Sequence, residues 1–381
     1  MQFTCDQERF ARTLGAVGHA VNKGTSAPPI TTTIRLSTDQ GRLRLDATNL
    51  ELGITAWLEV VVAQEGSVSI PARTFSDAIT ALAPGQIAVR VETVTHDVQV
   101  HSQSGSFHVR GQAADEFPTM PAAEPGGQAI VLAAPLLKEV IREVVTATDE
   151  SGSKPIFENV LLQMERGKVT FAATDGFSKV TYRTLTLAEA GRELRDILVP
   201  ARALTELASI LPADGMIEVS VTENSSQVVF STQWLVLSSR LSSGKFPNYK
   251  AVLPRERQTR VTVKAADFRH AVQLSILFAK ADSHAGHITI RGSLGAEPGT
   301  LTITSEAADV GGNQNTIPVQ VEGDDQEEVI FNVSSLAKTL AVITTPDVVL
   351  EIGATKAPVG VLKAAAVNSA IHGLMSMTSA H

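Results

Sequence analysis

Cysteine is nearly absent: Cys5 stands alone, which excludes an internal disulfide and any multi-cysteine zinc or iron–sulfur site. A lone thiol suits a reducing compartment. Aromatic residues are only 4% of the chain, too few for base stacking on single strands to be its main work. No stretch approaches the roughly 18 uninterrupted apolar residues of a membrane-spanning helix. The start, MQFTCDQERF, is polar and charged, unlike a signal peptide. Catalytic signatures are missing too: there is no Walker-type loop, no GxSxG elbow and no HExxH. Ser151-Gly152-Ser153-Lys154 has a glycine and a lysine without phosphate-loop spacing. His284 and His287 form an HxxH, but two histidines do not close a metal site. No metal, cofactor or catalytic residue is expected. There is no basic excess either, with 32 Lys and Arg against 40 Asp and Glu and a net charge of −8.

What is present is a globular composition, 43% hydrophobic over 381 residues, enough for two or three domains. An internal repeat organises it. SIPARTFSDAITAL from Ser69 matches LVPARALTELASIL from Leu198, and Pro-Ala-Arg recurs at Pro71 and Pro200, 129 residues apart. FNVSSLAKTLAVI from Phe331 is a fainter third copy, with Asn332 in the proline's place. DATNLE near Thr48, AATDGF near Thr174 and TSEAAD near Ser305 keep the same order, as do FPTMP at Phe117 and FPNYKAVLP at Phe246. Phe3, Ile130 and Val261 mark the repeat starts, each followed seven residues on by Phe10, Leu137 or Phe268. Units this long exceed solenoid repeats and can each bury a core. The expected domains are 1–125, 126–255 and 256–381, joined through MPAAEPGGQA and LPRERQTR.

Each copy opens with a strand and a helix. Phe10, Leu14, Val17 and Val21 give the first helix one apolar stripe, with Asp6 as its N-cap. Alternating segments such as RLRLDAT and KVTFAAT follow, then a second helix from Pro-Ala-Arg or Asn-Val-Ser, then more strands. The fold class is α+β: three tandem domains of one topology, each with two helices on antiparallel sheet. Asp175 in TDG sits at a strand end beside Gly176, and the first repeat has Asn49 there, so a turn role is expected over a general base. Off the apolar stripes fall Arg9, Arg12, Lys23, Lys138, Arg142, Arg269, His270 and Lys280 on the first helices, and Arg73, Arg202 and Lys338 on the second. Gathered on one layer, these would attract phosphate despite the acidic total, because the local field decides.

Together, the three repeats, AATDGF, VPARAL, GKFPNYKAVLP and the C-terminal Met375-Ser376-Met377 resemble the bacterial DNA polymerase III β subunit family, the sliding clamps, over the whole chain. The resemblance implies a head-to-tail homodimer closed around duplex DNA, helices lining the hole, with no sequence-specific contact and no catalysis. It implies the DNA polymerase III α subunit, the clamp loader and other enzymes carrying a clamp-binding peptide as partners, no membrane partner, and a cytoplasmic, nucleoid-associated location.

Residue by residue, the resemblance puts a hydrophobic peptide groove at Phe157, Thr174, Gly176, Phe177, Ser178, Lys179, Pro247, Ala251, Val252, Asn332, Pro358, Leu374, Met375, Ser376 and Met377. It points to Lys23, Arg73, Lys138, Arg142, Arg202 and Lys338 for DNA, and to Phe107 against Ile276 and Leu277 for the dimer. The sequence departs from the family at Phe177-Ser178-Lys179, and its tail runs on to His381. A lysine at 179 suits such a groove only if its stem lies along the wall and its charge reaches water. These departures leave a specialised or second-copy clamp as the alternative. A triplicated enzyme would need a convergent acid, base or metal set; a structural oligomer would have no DNA role.

Overall fold

The computed structural model describes residues 1–22, 24, 28–120, 129–165, 167–187, 196–279, 284–295, 297–307, 309–354 and 358–377. The chain folds as two compact units, Met1–Pro135 with Ser209–Leu241, and Leu136–Ala208 with Ser242–His381.

Six α-helices occur among the described residues: α1 Gln7–Gly18, α2 Ala72–Ala81, α3 Ala134–Val144, α4 Ala201–Ile210, α5 Ala265–Ala279 and α6 Val333–Val342. They come in pairs, one pair per repeat, as the sequence predicts. Asp6 caps α1, its carboxylate accepting from the Arg9 amide at 2.9 Å. Phe10, Leu14 and Val17 are buried along one stripe. The helix stops at Gly18, so Val21 is buried beyond its end. Pro71 and Pro200 end strands immediately before α2 and α4, where a missing N–H leaves no helical bond unmade. In the third repeat Asn332 takes over, accepting from the Ser335 amide at 2.9 Å.

In the first unit, a five-stranded antiparallel sheet runs in the order Val61–Gln64, Gln2–Asp6, Gln86–Val91, Asp97–Ser102, Gly105–Arg110. An eight-stranded sheet orders Ala129–Ala133, Met216–Val221, Gln227–Ser231, Leu235–Arg240, Leu52–Glu59, Arg42–Thr48, Thr33–Asp39, Ser67–Pro71. Its centre splices the last strand of the second repeat to a strand of the first, through Leu235↔Ala56 and Ser238↔Gly53. Leu43 and Leu45 point inward, as their alternation predicts. Phe3, Phe10 and Phe75 stack edge-to-face in the core at 6.0 and 5.9 Å, joining strand, α1 and α2.

The second unit holds one twelve-stranded sheet. Its order is Ile197–Pro200, Asn159–Glu165, Lys168–Thr174, Lys179–Thr186, Ile371–Met375, Val359–Ala364, Asp347–Gly353, Arg257–Lys264, Gly311–Gly323, Gly299–Ala307, Ala285–Arg291, Gln326–Asn332. The same splice recurs, now joining the third repeat to the second through Lys179↔Leu374 and Tyr182↔Ile371. Helices α5 and α6 pack together, and Arg269 fixes them by donating to the carbonyls of Leu340 and Ile343 at 3.2 and 3.0 Å. That guanidinium therefore satisfies orphan carbonyls at the end of α6. The expected linker at LPRERQTR is shorter than its composition suggests, because Arg257 already begins a strand. Most of the other linker, residues 121–128, lies outside the described residues.

Candidate functional site

The splice in the second unit gathers most of the expected groove residues. The connection between Lys168–Thr174 and Lys179–Thr186 is a tight turn organised by Asp175. Its carboxylate accepts from the amides of Phe177, Ser178 and Lys179 at 2.9, 2.8 and 3.1 Å, and from the Ser178 hydroxyl at 2.5 Å. Asp175 thus organises the turn, as predicted. Thr174 is buried; its hydroxyl donates to the Lys179 carbonyl at 2.8 Å and accepts from the Gly176 amide at 3.0 Å. Gly176 has φ +80°, and a Cβ there would stand 2.3 Å from Cε2 of Phe157. The turn therefore needs glycine twice, for backbone freedom and to seat that ring.

Around this turn lies an apolar surface. Phe177 and Val252 are exposed, at 68% and 43%, and Phe157 and Met375 are half-buried. Pro247 and Ala251 are also exposed, flanking the short 3₁₀ turn Tyr249–Val252. Beneath them Leu161, Ala172, Val180, Leu198 and Tyr249 form a small cluster, with Ile156, Tyr182, Phe246, Leu253 and Met375 packed on it. Tyr249 stacks near Tyr182 and Phe246, with centroids 5.6 and 6.4 Å apart. Burial holds its phenol up at about 12, so it stays protonated. Ile156, Phe246, Tyr249 and Leu253 are supports that the motifs do not name. For Phe246, Tyr249 and Leu253 the FPNYKAVLP segment is the one sequence signal; Ile156 lies outside it.

The strand ending the chain is held in register by Met375 N to Ser178 O at 2.9 Å, Ser376 N to Pro358 O at 3.3 Å and Met377 N to Ile330 O at 2.8 Å. Met377 and Pro358 are half-buried there. Three expected wall residues turn out otherwise. Leu374 is only 2% exposed and belongs to the core around Phe268 and Leu350, because alternation sends it to the face opposite Met375. Asn332 spends its side chain capping α6. Lys179 is buried and its ammonium donates to the Thr146 carbonyl at 2.5 Å. Its stem neither lines the apolar wall nor carries its charge to water, and desolvation lowers its pKa.

The splice in the first unit is the repeat-equivalent place, and its chemistry differs. Thr48 takes the part of Thr174, bonding the Leu52 carbonyl at 2.9 Å and the Leu50 amide at 2.9 Å. A cavity of about 100 Å³ opens there, lined by Leu50, Gly53, Met120, Ser238 and Arg240 among others. Ser238 and Arg240 stand where the other splice has Gly373 and Met375. The duplicated framework thus carries an aromatic-rich surface at one splice and a polar cavity at the other.

The expected DNA residues fare unevenly. Lys23, and Lys280 with it, lies outside the described residues. Arg73 on α2 is 96% exposed, with only a loose 3.9 Å approach to Asp77. Arg142 on α3 and Arg202 on α4 are exposed; Lys138 is half-buried. Lys338 on α6 is paired with Glu150 at 2.8 Å, so its charge is already answered. On another face of α3, Glu139 and Glu143 grip Arg183 at 2.9 and 2.6 Å.

For the dimer contact, Phe107 lies on Gly105–Arg110, the outer strand of its sheet, half-buried against Phe75 at 6.1 Å. Leu277 on α5 is 59% exposed, while Ile276 packs partly on the domain core. His287 pairs with Glu328 at 2.7 Å, and among the described residues no cluster of three or more metal-ligating side chains occurs.

Paired helices on antiparallel sheets, repeated three times and spliced strand to strand, define the clamp class of fold. Family models of the DNA polymerase III beta subunit match in succession: the N-terminal domain over residues 1–121, the central domain over 131–248 and the C-terminal domain over 250–377. The chain belongs to this family. The beta sliding clamp of Synechococcus elongatus is 30% identical over 362 residues, covering 94% of each chain. The sliding clamp of Bacillus subtilis superposes with a TM-score of 0.89 at 22% identity over 100% of both chains. The Streptococcus pyogenes beta subunit gives 0.91 at 20%, again over both full chains.

Proposed function

We propose that this chain works as a DNA sliding clamp: a closed homodimer that encircles duplex DNA without reading its sequence and tethers the replicative polymerase, the clamp loader and other DNA enzymes. It catalyses nothing; topology, rather than affinity, holds it on DNA. The three domains run near 1–125, 126–255 and 256–381. The observation that carries the reading is the recurring splice. The last strand of the second repeat pairs with Leu52–Glu59, and the last strand of the third pairs with Lys179–Thr186. The last strand of the first repeat, Gly105–Arg110, ends its sheet with one side open. Its counterpart in the third repeat is the first part of Gly311–Gly323, whose residues Gly311–Val319 pair with Gly299–Ala307 on one side only. A second copy offering the same two edges would complete the pattern twice and close a ring, as a heterologous contact with the right rotation does. Helix α5, with Ile276 and Leu277, packs on that same Gly311–Gly323 strand, within reach of an incoming Phe107.

On DNA, exposed Arg73, Arg142 and Arg202, with Lys23 and Lys138, supply phosphate attraction without base readout. Partners dock a short peptide on the surface of Phe157, Phe177, Val252 and Met375. Each buried leucine or aromatic anchor contributes about 1.5–3 kcal/mol before ordering costs, which suits exchangeable contacts. Methionine lets the surface adapt to several peptides. Sedimentation equilibrium tests the dimer: wild type should run at twice 40.3 kDa, and Phe107→Ala should shift mass toward the monomer. A wild-type monomer at micromolar concentration would refute the closed ring.

A further inference from the structure

The cavity at the first splice is lined by hydrogen-bonding groups that the fold leaves unspent. Glycine keeps it open: a Cβ at Gly53 would stand 2.6 Å from Cε of Met120 and 3.0 Å from Oγ of Ser238. Gln227 pairs with Arg240 and Val229 with Ser238, so Gln227, Ser238 and Arg240 share one face of two adjacent strands. Ser238 is buried, yet its hydroxyl bonds to no other described residue. Gln227 is half-buried and commits only its main chain, to Thr222. The Arg240 amide donates to the Glu51 carbonyl at 2.9 Å. Its guanidinium is exposed, with no ion-pair partner among the described residues. The turn above supplies the apolar part. Leu50 is exposed at φ +75°, where leucine is disfavoured, and its amide is held by the Thr48 hydroxyl at 2.9 Å. The volume of about 100 Å³ falls short of the roughly 150 Å³ that admits a benzene ring, so an aromatic anchor is excluded.

We propose that this cavity is a carboxylate-binding site, filled by the carboxylate and short stem of a glutamate on a bound protein segment or of a free acid of that size. The planar fork of Arg240 donates two parallel N–H bonds to the carboxylate. The Gln227 amide and the Ser238 hydroxyl donate to its remaining lone pairs, and the methylenes of the stem lie against Met120 and Leu50. Glu51, exposed on the same lining, opposes a second negative charge. The site therefore prefers a singly charged carboxylate to a dianionic phosphate. The inference is independent of the docking surface proposed above, because every group that it uses belongs to the first unit. One strand-splicing framework thus serves two chemistries, an aromatic-rich surface where Met375 stands and an acid-binding cavity where Arg240 stands.

The test uses the full-length protein with carbon-13 at its methionine methyls. The Met120 signal reports on the cavity and is assigned by its loss in Met120→Leu. The probes, at fixed ionic strength, are acetate, its neutral isostere acetamide, inorganic phosphate, and the capped tripeptides Ala-Glu-Ala and Ala-Gln-Ala. Acetate or the glutamate tripeptide should shift Met120 saturably, whereas acetamide and the glutamine tripeptide should not. Tighter binding of the tripeptide than of acetate assigns the site to protein segments, and the reverse order assigns it to free acids. Arg240→Gln should weaken carboxylate binding about tenfold, the range of a charge-assisted hydrogen bond. Arg240 is exposed, so this variant keeps the wild-type melting temperature. Glu51→Gln should let phosphate compete. Phosphate binding wild type as tightly as either carboxylate overturns the preference for a single charge. A Met120 signal that no carboxylate moves even at tenths-molar concentration overturns the site, as does an equal response to acid and amide or an affinity unchanged in Arg240→Gln.

Discussion

Gly176→Ala is the sharpest perturbation of the docking surface, because its effect divides into two parts that a control separates. Alanine at φ +80° carries left-handed strain of about 1–2 kcal/mol wherever it occurs. At Gly176 the new methyl also falls 2.3 Å from Cε2 and 2.5 Å from Cζ of Phe157, so the ring must swing out of its seat. Gly152 supplies the control: its φ is +73°, and no heavy atom lies within 4 Å of a Cβ built there. Gly152→Ala should therefore show the strain alone. Gly176→Ala should cost about 1 kcal/mol more in urea unfolding, as the ring leaves its packed position. The larger difference should appear in peptide binding. Displacing Phe157 removes roughly half of the surface that one anchor buries, so affinity falls about tenfold, or about 1.4 kcal/mol. Gly152→Ala should bind peptide like wild type. Equal stability and equal affinity for the two variants would refute the packing of Phe157 on the turn and its place in the docking surface.

The splice beside that surface should carry a pH signature. His372 is fully buried, with Nδ1 2.9 Å from the Thr181 hydroxyl, and burial, with Arg183 nearby, lowers its pKa from an ordinary 6.5 to about 4. The unfolded chain takes up a proton near pH 6.5 while the folded chain stays neutral, so stability is full above 6.5 and falls toward pH 4, by about 3 kcal/mol in all. Urea titrations across that window should show the slope, and His372→Gln should flatten it; an unchanged slope in the variant would place the titration elsewhere. Reversing Arg73, Arg142 and Arg202 to Glu should weaken association with duplex DNA at low salt. It should also flatten log K against log salt by roughly 0.9 for each phosphate that the protein no longer neutralises. An unchanged slope would mean these side chains face away from DNA.

The repeat was legible because its landmarks are backbone devices. Pro71 and Pro200 precede helices, Asp6 caps one, and Asp175 organises a turn; each acts within a few residues of itself. The splices were not legible. Pairing Leu374 with Lys179 depends on edges meeting across nearly two hundred positions, and one step of alternation decided that Leu374 would enter the core while Met375 packed on the Tyr249 cluster beneath the proposed docking surface. Charged side chains were the least predictable from spacing. Arg269 caps the end of α6, Lys338 answers Glu150, and Lys179 turns inward to a carbonyl, because burial and hydrogen bonds outweigh a helical-wheel position.

The central claim, topological closure around DNA, is tested most directly by loading the protein onto a nicked circular plasmid with a clamp loader and isolating the complex by gel filtration at high salt. The protein should stay with the circle and come away once a restriction enzyme linearises it, because a ring slides off free ends. Equal dissociation from circular and linear DNA, or equal retention on both, would contradict the closed ring.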